Sequence, residues 1–327
     1  YKRQNPPYPS LAQDALDRVY ELDYERAQHP YYARRGQVKA LETIRFSIPT
    51  HRGCYGECNF CAIAVHEGRT VRWRSQESIL KEALMISLLP DFSGYIYDLS
   101  GPTANMYGFE CPSKLRQGPC EDKNCIYPET CPALPVDHRQ HTDLLQKIRQ
   151  IKGVKKVFVG SGIRYDLILS DTKHGEKYLK ELVQHHTSGQ LKIAPEHTQP
   201  DVLARMRKPN TEKLLKFKNR FDALSDNVRK KQFLSYYLIA AYPGCTLADM
   251  QALKQFASQE LGILPEQVQV FTPTPSTYAS VMYYTEKDPF TGEKLFVEKN
   301  PAAQKAQKEI ITGQNKPPRE HQRGKRK

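Results

Sequence analysis

Short β-branched and aromatic runs alternate with segments of helical period along most of this chain. The runs "TIRFSIP" (43–49), "GYIYDLS" (94–100), "VKKVFVGS" (154–161), "LKIAP" (191–195), "QFLSYYLIAAY" (232–242) and "VQVFTPTP" (268–275) read as strands. Between them, residues 75–90, 142–153, 175–189, 212–226 and 247–261 carry apolar positions three and four apart. In the last of these, Leu247, Met250, Leu253, Phe256 and Ala257 share a face. Ahead of this pattern a Pro-rich lead passes into a helix predicted to begin near Ser10, with Gln13 as its capping-box partner and Leu11, Ala15, Val19 and Leu22 on one face. Behind it, residues 283–297 suggest a hairpin around Asp288 to Gly292, and residues 301–311 a short helix opened by Pro301. No internal repeat is visible.

Strands separated by helices argue for a parallel sheet, either curved into a partial (β/α)6 barrel or left open. In both cases chemistry belongs at the C-terminal ends of the strands. The segments found there are "HRGC", "GPTAN", "GSGIRYD", "PEHT", "YPGCT" and "TPTPST", rich in the small residues that let backbone approach a ligand. The expected division is an N-terminal arm or linker over 1–40 and a barrel core over 41–282 interrupted by a Cys-rich insertion at 106–136. A C-terminal hairpin and helix over 283–312 and a disordered basic tail over 313–327 complete it.

Composition adds constraints. The 327 residues carry a formal charge of +13 and are 39% hydrophobic. The tail alone has six Lys or Arg against one Glu. A basic tail is usually a solvated end, and RNA is the partner class it leaves open. No apolar run approaches the ~20 residues of a membrane span, and no apolar signal region follows the basic N-terminus. Eight cysteines without a secretory signal point to metal or redox chemistry in a reducing, cytoplasmic setting. The chain opens on Tyr1 rather than Met, consistent with a piece of a longer protein.

The cysteines sharpen this. Cys54, Cys58 and Cys61 stand in a C-x3-C-x2-C arrangement just after the first strand. One reading is zinc with a fourth ligand from elsewhere. The other is a cubane [4Fe-4S] cluster, where three thiolates hold three irons and the fourth iron stays open for a ligand that is not protein. Four more, Cys111, Cys120, Cys125 and Cys131, fall in a loop with little apolar content. Zinc or a second iron–sulfur cluster would serve there as a second metal site, with unrelated surface thiols as the plain alternative. Cys245 reads as a packed small residue.

With Phe60 before the third cysteine, "CYGECNFC" resembles the cluster loop of the radical S-adenosylmethionine (SAM) superfamily, which follows the first barrel strand. "SGPTAN" (Ser100 to Asn105) lies where that family receives the methionyl amino group of SAM, although it departs from the common Gly-Gly-Glu form. "IAPEHTQPDVLARMRKP", "IAAYPGCT" and "TPTPST" look like strand ends of the methylthiotransferase and coproporphyrinogen-dehydrogenase branch. The runs "ETIRFSIPTHRGCYGECNFCAI", "DLSGPTANMYG" and "DPFTGE" look like the YgiQ family, whose members typically carry a further N-terminal region resembling a cobalamin-binding domain. The resemblance implies a partial barrel holding a [4Fe-4S] cluster on Cys54, Cys58 and Cys61. SAM would bind near Phe60, Gly101, Pro102, Thr103, Ser161, Glu196 and His197, the last two facing its ribose. Reductive cleavage of SAM would then yield a 5′-deoxyadenosyl radical that acts on a substrate the resemblance does not name. An electron donor such as flavodoxin or ferredoxin is implied too. RNA modification of methylthiotransferase type is the alternative activity, and a non-catalytic zinc module the alternative class. Bland readings stand beside these: a hydrogen-bonded turn for His197, a local ion pair for Arg164 and Asp166, a solvated basic rim for Arg52, Arg69, Arg72 and Arg74.

Overall fold

The computed structural model describes residues 10–263, 265 and 268–313. The Pro-rich lead up to Pro9 and the predicted disordered tail from Gln314 lie outside the described residues.

Among the described residues the strands are β1 (Ser47–Pro49), β2 (His51–Arg52), β3 (Arg72–Trp73), β4 (Tyr95–Ile96), β5 (Asp98–Ser100), β6 (Lys156–Val157), β7 (Gln190–Glu196), β8 (Phe233–Ala240) and β9 (Val268–Val270). The pairings between staves of the barrel are parallel: Ile48 lies opposite Leu99, Ile96 opposite Val157, Leu191 opposite Leu234, and Ile239 opposite Gln269; β2 and β3 pair antiparallel outside them. Continuity between the short ladders comes from single rungs. Leu99 N–H donates to Phe158 O at 2.8 Å, and Ile163 bridges Ile193 in parallel. β4 and β5 are one strand interrupted at Tyr97, so the staves run β1, β4/β5, β6, β7, β8, β9 in chain order, with helices in the connections. That is the α/β, partial (β/α)6 barrel architecture expected from the pattern.

Alternation along each strand sorts its side chains. Ile48, Leu99, Val157, Leu191 and Ile193 are fully buried and join one core with Ile79, Ile148, Leu182, Phe217, Phe221 and Leu253 from the helices. Truncating one of the larger of these, Phe217→Ala, is expected to cost about 3–5 kcal/mol. The intervening positions Ser47, Pro49, Asp98, Ser100 and Lys192 line a cavity on the inner side.

Several local expectations are corrected. The arm helix is Gln13–Tyr20, its N-cap Ala12 makes no side-chain cap, and Gln13 Nε2 instead donates to Trp73 O. Its buried residue is Leu16, whereas Leu11 and Leu22 fall beyond the helix ends and are exposed. Residues Lys39–Ile44 are helical, which shortens the first strand to its last three positions. The segment expected as helix over 175–189 is α-helical only over Gly175–Glu181, then winds as a π turn over Leu182–His186. Helices Tyr165–Ser170, Pro200–Met206 and Tyr278–Thr285 are additional. The turn after Asp288 is present, with Gly292 N–H on Asp288 O at 2.8 Å, and so is the helix Pro301–Thr312 behind its Asn300 cap.

Candidate metal and cofactor site at the barrel mouth

The first three cysteines sit on a loop whose base is a two-rung antiparallel ladder, His51 to Trp73 and Arg52 to Arg72. Gly53 has φ +86°, and a Cβ there would lie 2.3 Å from Thr70 O, so this entry turn accepts only glycine. Cys54 N–H donates to Gly68 O at 3.1 Å, and Cys61 N–H to Cys58 O at 3.0 Å. Asn59 anchors the far side: its N–H reaches Met206 O, its Nδ2 reaches Arg205 O at 2.7 Å, and its own carbonyl accepts from Ala279 N–H. The loop is thereby pinned to the helices Pro200–Met206 and Tyr278–Thr285.

The thiols of Cys54 and Cys58 flank Gly56. A Cβ on Gly56 would lie 3.2 Å from Cys54 Sγ and 3.8 Å from Cys58 Sγ, and Gly56 N–H donates to Cys54 Sγ at 3.3 Å. Burial pushes the Cys54 thiol up to about 11, with the neighbouring Cys58 adding to the effect, and burial raises Cys61 as well. Thiols in such a place give up their protons to a metal rather than to water. Behind Cys58 stands Arg164, whose Nη1 donates to Cys58 Sγ at 3.6 Å while Nε and Nη2 grip Asp166 at 2.8 and 2.5 Å. Asn105 fixes the Arg164 backbone, accepting its N–H at 2.8 Å and donating to its carbonyl at 3.0 Å.

The other expected positions are placed as follows. Phe60 packs edge-on to Tyr242 with ring centroids 6.3 Å apart, and Lys208 Nζ lies 5.6 Å above its ring. Gly101 leaves no room for a side chain, since a Cβ would meet the buried His51 ring at 2.1 Å; Pro102 and Thr103 beside it are half-buried. Ser161 spends its N–H and hydroxyl on Asp98 Oδ1 at 3.0 and 3.2 Å. Glu196 ends β7 in the left-handed region, φ +68°, where a residue with a side chain is strained. Its carboxylate meets Lys208 Nζ at 3.5 Å, and burial raises its pKa despite that partner. His197 turns away from the mouth. Its Nδ1 accepts from Gln199 N–H at 3.0 Å and its Nε2 faces Cys245 Sγ at 3.5 Å, with burial lowering it to about 4. Both ring nitrogens are therefore engaged within the wall, which leaves Glu196 alone of the two near the cysteine loop. Cys245 is fully buried, as a packed residue would be.

Arg74 is no rim residue. It is fully buried, donating to Pro49 O and Ser78 and ion-paired with Glu82. Arg69 pairs with Glu57.

The second set of cysteines is less gathered. Cys111 is buried, Cys125 and Cys131 are half-buried and joined by Cys131 N–H on Cys125 O at 2.8 Å, and Cys120 is exposed. Lys114 Nζ donates to Cys125 Sγ at 3.4 Å and to Glu110 at 3.2 Å. Among the described residues, no three His, Cys, Asp or Glu side chains converge on one ion-sized point, in this loop or the first. Distributed thiols suit a cubane, which takes one ligand per iron, and the buried Tyr165 hydroxyl and Thr198 hydroxyl have no partner among the described residues and stay available to a bound group. The pattern of residue types gave no signal for Asn105, Lys208 or Tyr165, because each comes near the loop only through the fold.

Comparison with known proteins now bears on this arrangement. Residues 1–47 match the family described as Radical SAM N-terminal, and residues 266–316 a domain of unknown function. The solved structure of the radical S-adenosylmethionine methyltransferase TsrM from Kitasatospora setae, with cobalamin and a [4Fe-4S] cluster bound, superposes with TM-score 0.50 and 14% identity, covering 83% of this chain and 46% of that one. The chain shares the fold of that radical SAM structure. A UPF0313 protein of Fusobacterium nucleatum is 54% identical over 97% of this chain and 56% of its own length. One from Methanosarcina mazei is 46% identical over 95% of this chain and 49% of its own. The chain thus spans about half the length of the curated relatives it matches. Within this radical SAM fold the cysteine loop follows β1 and precedes the first long helix. No helix among the described residues is long and apolar enough to cross a membrane.

Proposed function

We propose that this chain is the catalytic core of a radical SAM enzyme, with Cys54, Cys58 and Cys61 holding a [4Fe-4S] cluster. The observation that supports it is the placement of three cysteines on one glycine-hinged loop directly after the first barrel strand. When bound, such a cluster supplies an electron that cleaves SAM into methionine and a 5′-deoxyadenosyl radical. The chain's own residues have narrower tasks. Arg164, charge-balanced by Asp166, donates a hydrogen bond to Cys58 and holds that sulfur in place on the loop. Lys208 sets the Glu196 carboxylate beside Phe60, where it can accept from hydroxyls of the cofactor. Gly101, packed on His51, lets the backbone of residues 100–103 come close to it. The electron would come from a low-potential protein of the flavodoxin or ferredoxin kind. The YgiQ-like runs support that family as the finer reading.

The test is iron and sulfide content of anaerobically purified protein with reduced EPR spectra, with and without SAM. About four irons per chain, a spectrum that changes on adding SAM, and loss of both in the Cys54/Cys58/Cys61→Ala triple variant are expected. Zinc alone, after attempted cluster reconstitution, would overturn the reading.

A further inference from the structure

A cavity of about 780 Å³ lies between the N-terminal arm and the inner face of the barrel. That is the size of a site for a metabolite or cofactor, ~300–1,000 Å³. Its inner wall is Ser47, Asp98, Gly160 and Lys192, contributed by β1, β5, the turn after β6, and β7; across from them stand Tyr20, Tyr24 and Ala27 of the arm. Apolar side chains are left open to it: Tyr24 is 51% exposed, Tyr97 42% and Ile44 61%. Exposed apolar surface gathered on one cavity calls for an occupant.

The charges on the wall say more about that occupant. Arg26 is paired with Glu82 and Arg45 with Asp91, and Glu25 sits exposed at the rim. Two groups are left. Asp98 Oδ1 accepts from Gly160 N–H at 2.7 Å and from Ser161 N–H and hydroxyl, but Oδ2 receives no donor among the described residues. Lys192 Nζ likewise has no hydrogen-bond or ion-pair partner among the described residues; burial raises the Asp98 carboxyl, and the nearby Lys192 charge opposes that only in part. Opposite charges held apart on one wall, without closing on each other, leave desolvated capacity that a molecule carrying both charges satisfies at once. A ligand with one charge would satisfy half of it.

We propose that this cavity is a substrate site for a zwitterion of α-amino-acid type, its ammonium on Asp98 Oδ2, its carboxylate on Lys192 Nζ, and an aromatic or aliphatic side chain against Tyr20, Tyr24 and Tyr97. The proposal deepens the radical SAM reading and rests on it for the word substrate; the binding does not depend on the cluster.

The test is calorimetric or saturation-transfer NMR titration of the full chain with L-phenylalanine, 3-phenylpropanoate and phenethylamine, with and without SAM. L-Phenylalanine is expected to bind about tenfold more tightly than either singly charged analogue, since each leaves one charge of the wall unpaired. Lys192→Met should bring it down to the level of phenethylamine. Asp98→Asn, which keeps an acceptor for Gly160 and Ser161, should bring it to that of 3-phenylpropanoate. Ala27→Trp, at an exposed arm position, should remove binding of all three by filling the cavity, and serves if Lys192→Met folds poorly. Equal affinity for the three ligands, displacement of L-phenylalanine by SAM, or full binding in Ala27→Trp would overturn the proposal. Failure of the radical SAM reading would show separately, as missing iron or a SAM-indifferent spectrum with these titrations unchanged.

Discussion

The two cysteine loops use one device in two frames. In the first, Cys58 takes an N–H from Arg164, itself gripped by Asp166; in the second, Cys125 takes one from Lys114, itself gripped by Glu110. Both cations are buried, and the loops share an apolar patch in which Cys54, Cys125 and Cys131 pack on Tyr55, Phe109 and Ile126. What separates them is the support. The first loop is closed by a ladder, pinned through Asn59 to two helices, and keeps its thiols within eight residues. The second spreads its cysteines over 21 residues and leaves Cys120 in solvent. The strand-end frame is what holds the three thiols of the first loop close together in the fold.

The largest effect expected from breaking this comparison is therefore at the ligands. Cys58→Ser should abolish the SAM-responsive EPR signal and most of the iron, whereas Cys120→Ser should leave both unchanged. The reverse result would move the cluster to the second loop.

Next come the buried ion pairs. Lys114→Met and Arg164→Met each strand a carboxylate in the interior and should cost about 3–5 kcal/mol in urea denaturation. The double variants should then diverge. Arg164→Met/Asp166→Leu should recover much of the loss, because the Asp166 side chain has Arg164 as its side-chain partner. Lys114→Met/Glu110→Leu should recover little, because Glu110 also accepts the backbone N–H groups of Val71 at 2.7 Å and Cys111 at 2.8 Å. Equal recovery would mean that the two pairs are interchangeable after all.

A smaller effect separates the two glycines. Gly53→Ala meets Thr70 O and should cost about 1–3 kcal/mol, with loss of iron. Gly118, in the second loop at φ +84°, has nothing within 4 Å, so Gly118→Ala should cost only the backbone strain, about 1 kcal/mol. Thermal midpoints and iron content of the two variants check this together.

How much of this was legible in the sequence follows from how local each feature is. The strand runs could be read because β-branched and aromatic residues cluster where both faces are covered, and Cys54, Cys58, Cys61 and Phe60 because a single loop carries them. The arm helix was misread in its face: an eight-residue helix ends before Leu22 and begins after Leu11, and only Leu16 reaches the core. The break at Tyr97 is invisible in a run whose composition is uniformly strand-like. Arg164, Lys208 and Asn105 come to the cysteines from other staves, so no spacing in the chain announces them. His197 shows the converse: it was placed on the mouth by its position beside Glu196, yet a backbone in the left-handed region at Glu196 sends the next side chain inward to Cys245.

The smallest effect is one of pH, and it falls on the first frame. Asp171 accepts from His138 Nδ1 at 2.9 Å, which leaves His138 Nε2 to accept from Asn105 Nδ2 at 3.2 Å, and Asn105 in turn clamps Arg164. Burial alone would raise the Asp171 carboxyl. The hydrogen bonds from the His138 ring and from the N–H groups of His138 and His174 outweigh burial and hold it at about 2, against an ordinary 3.8. A carboxyl lowered on folding stabilises the fold fully above its unfolded value, and that stability is lost as pH falls through the folded value. The window is thus about pH 4 to 2. The contribution of a carboxyl lowered this far is about 1–2 kcal/mol. The wild-type thermal midpoint should therefore fall more steeply across this window than that of Asp171→Asn, which keeps an acceptor for His138 but cannot titrate. Parallel slopes would mean that the acid sensitivity lies elsewhere, and that the chain from Asp171 to Cys58 is held by packing rather than by charge.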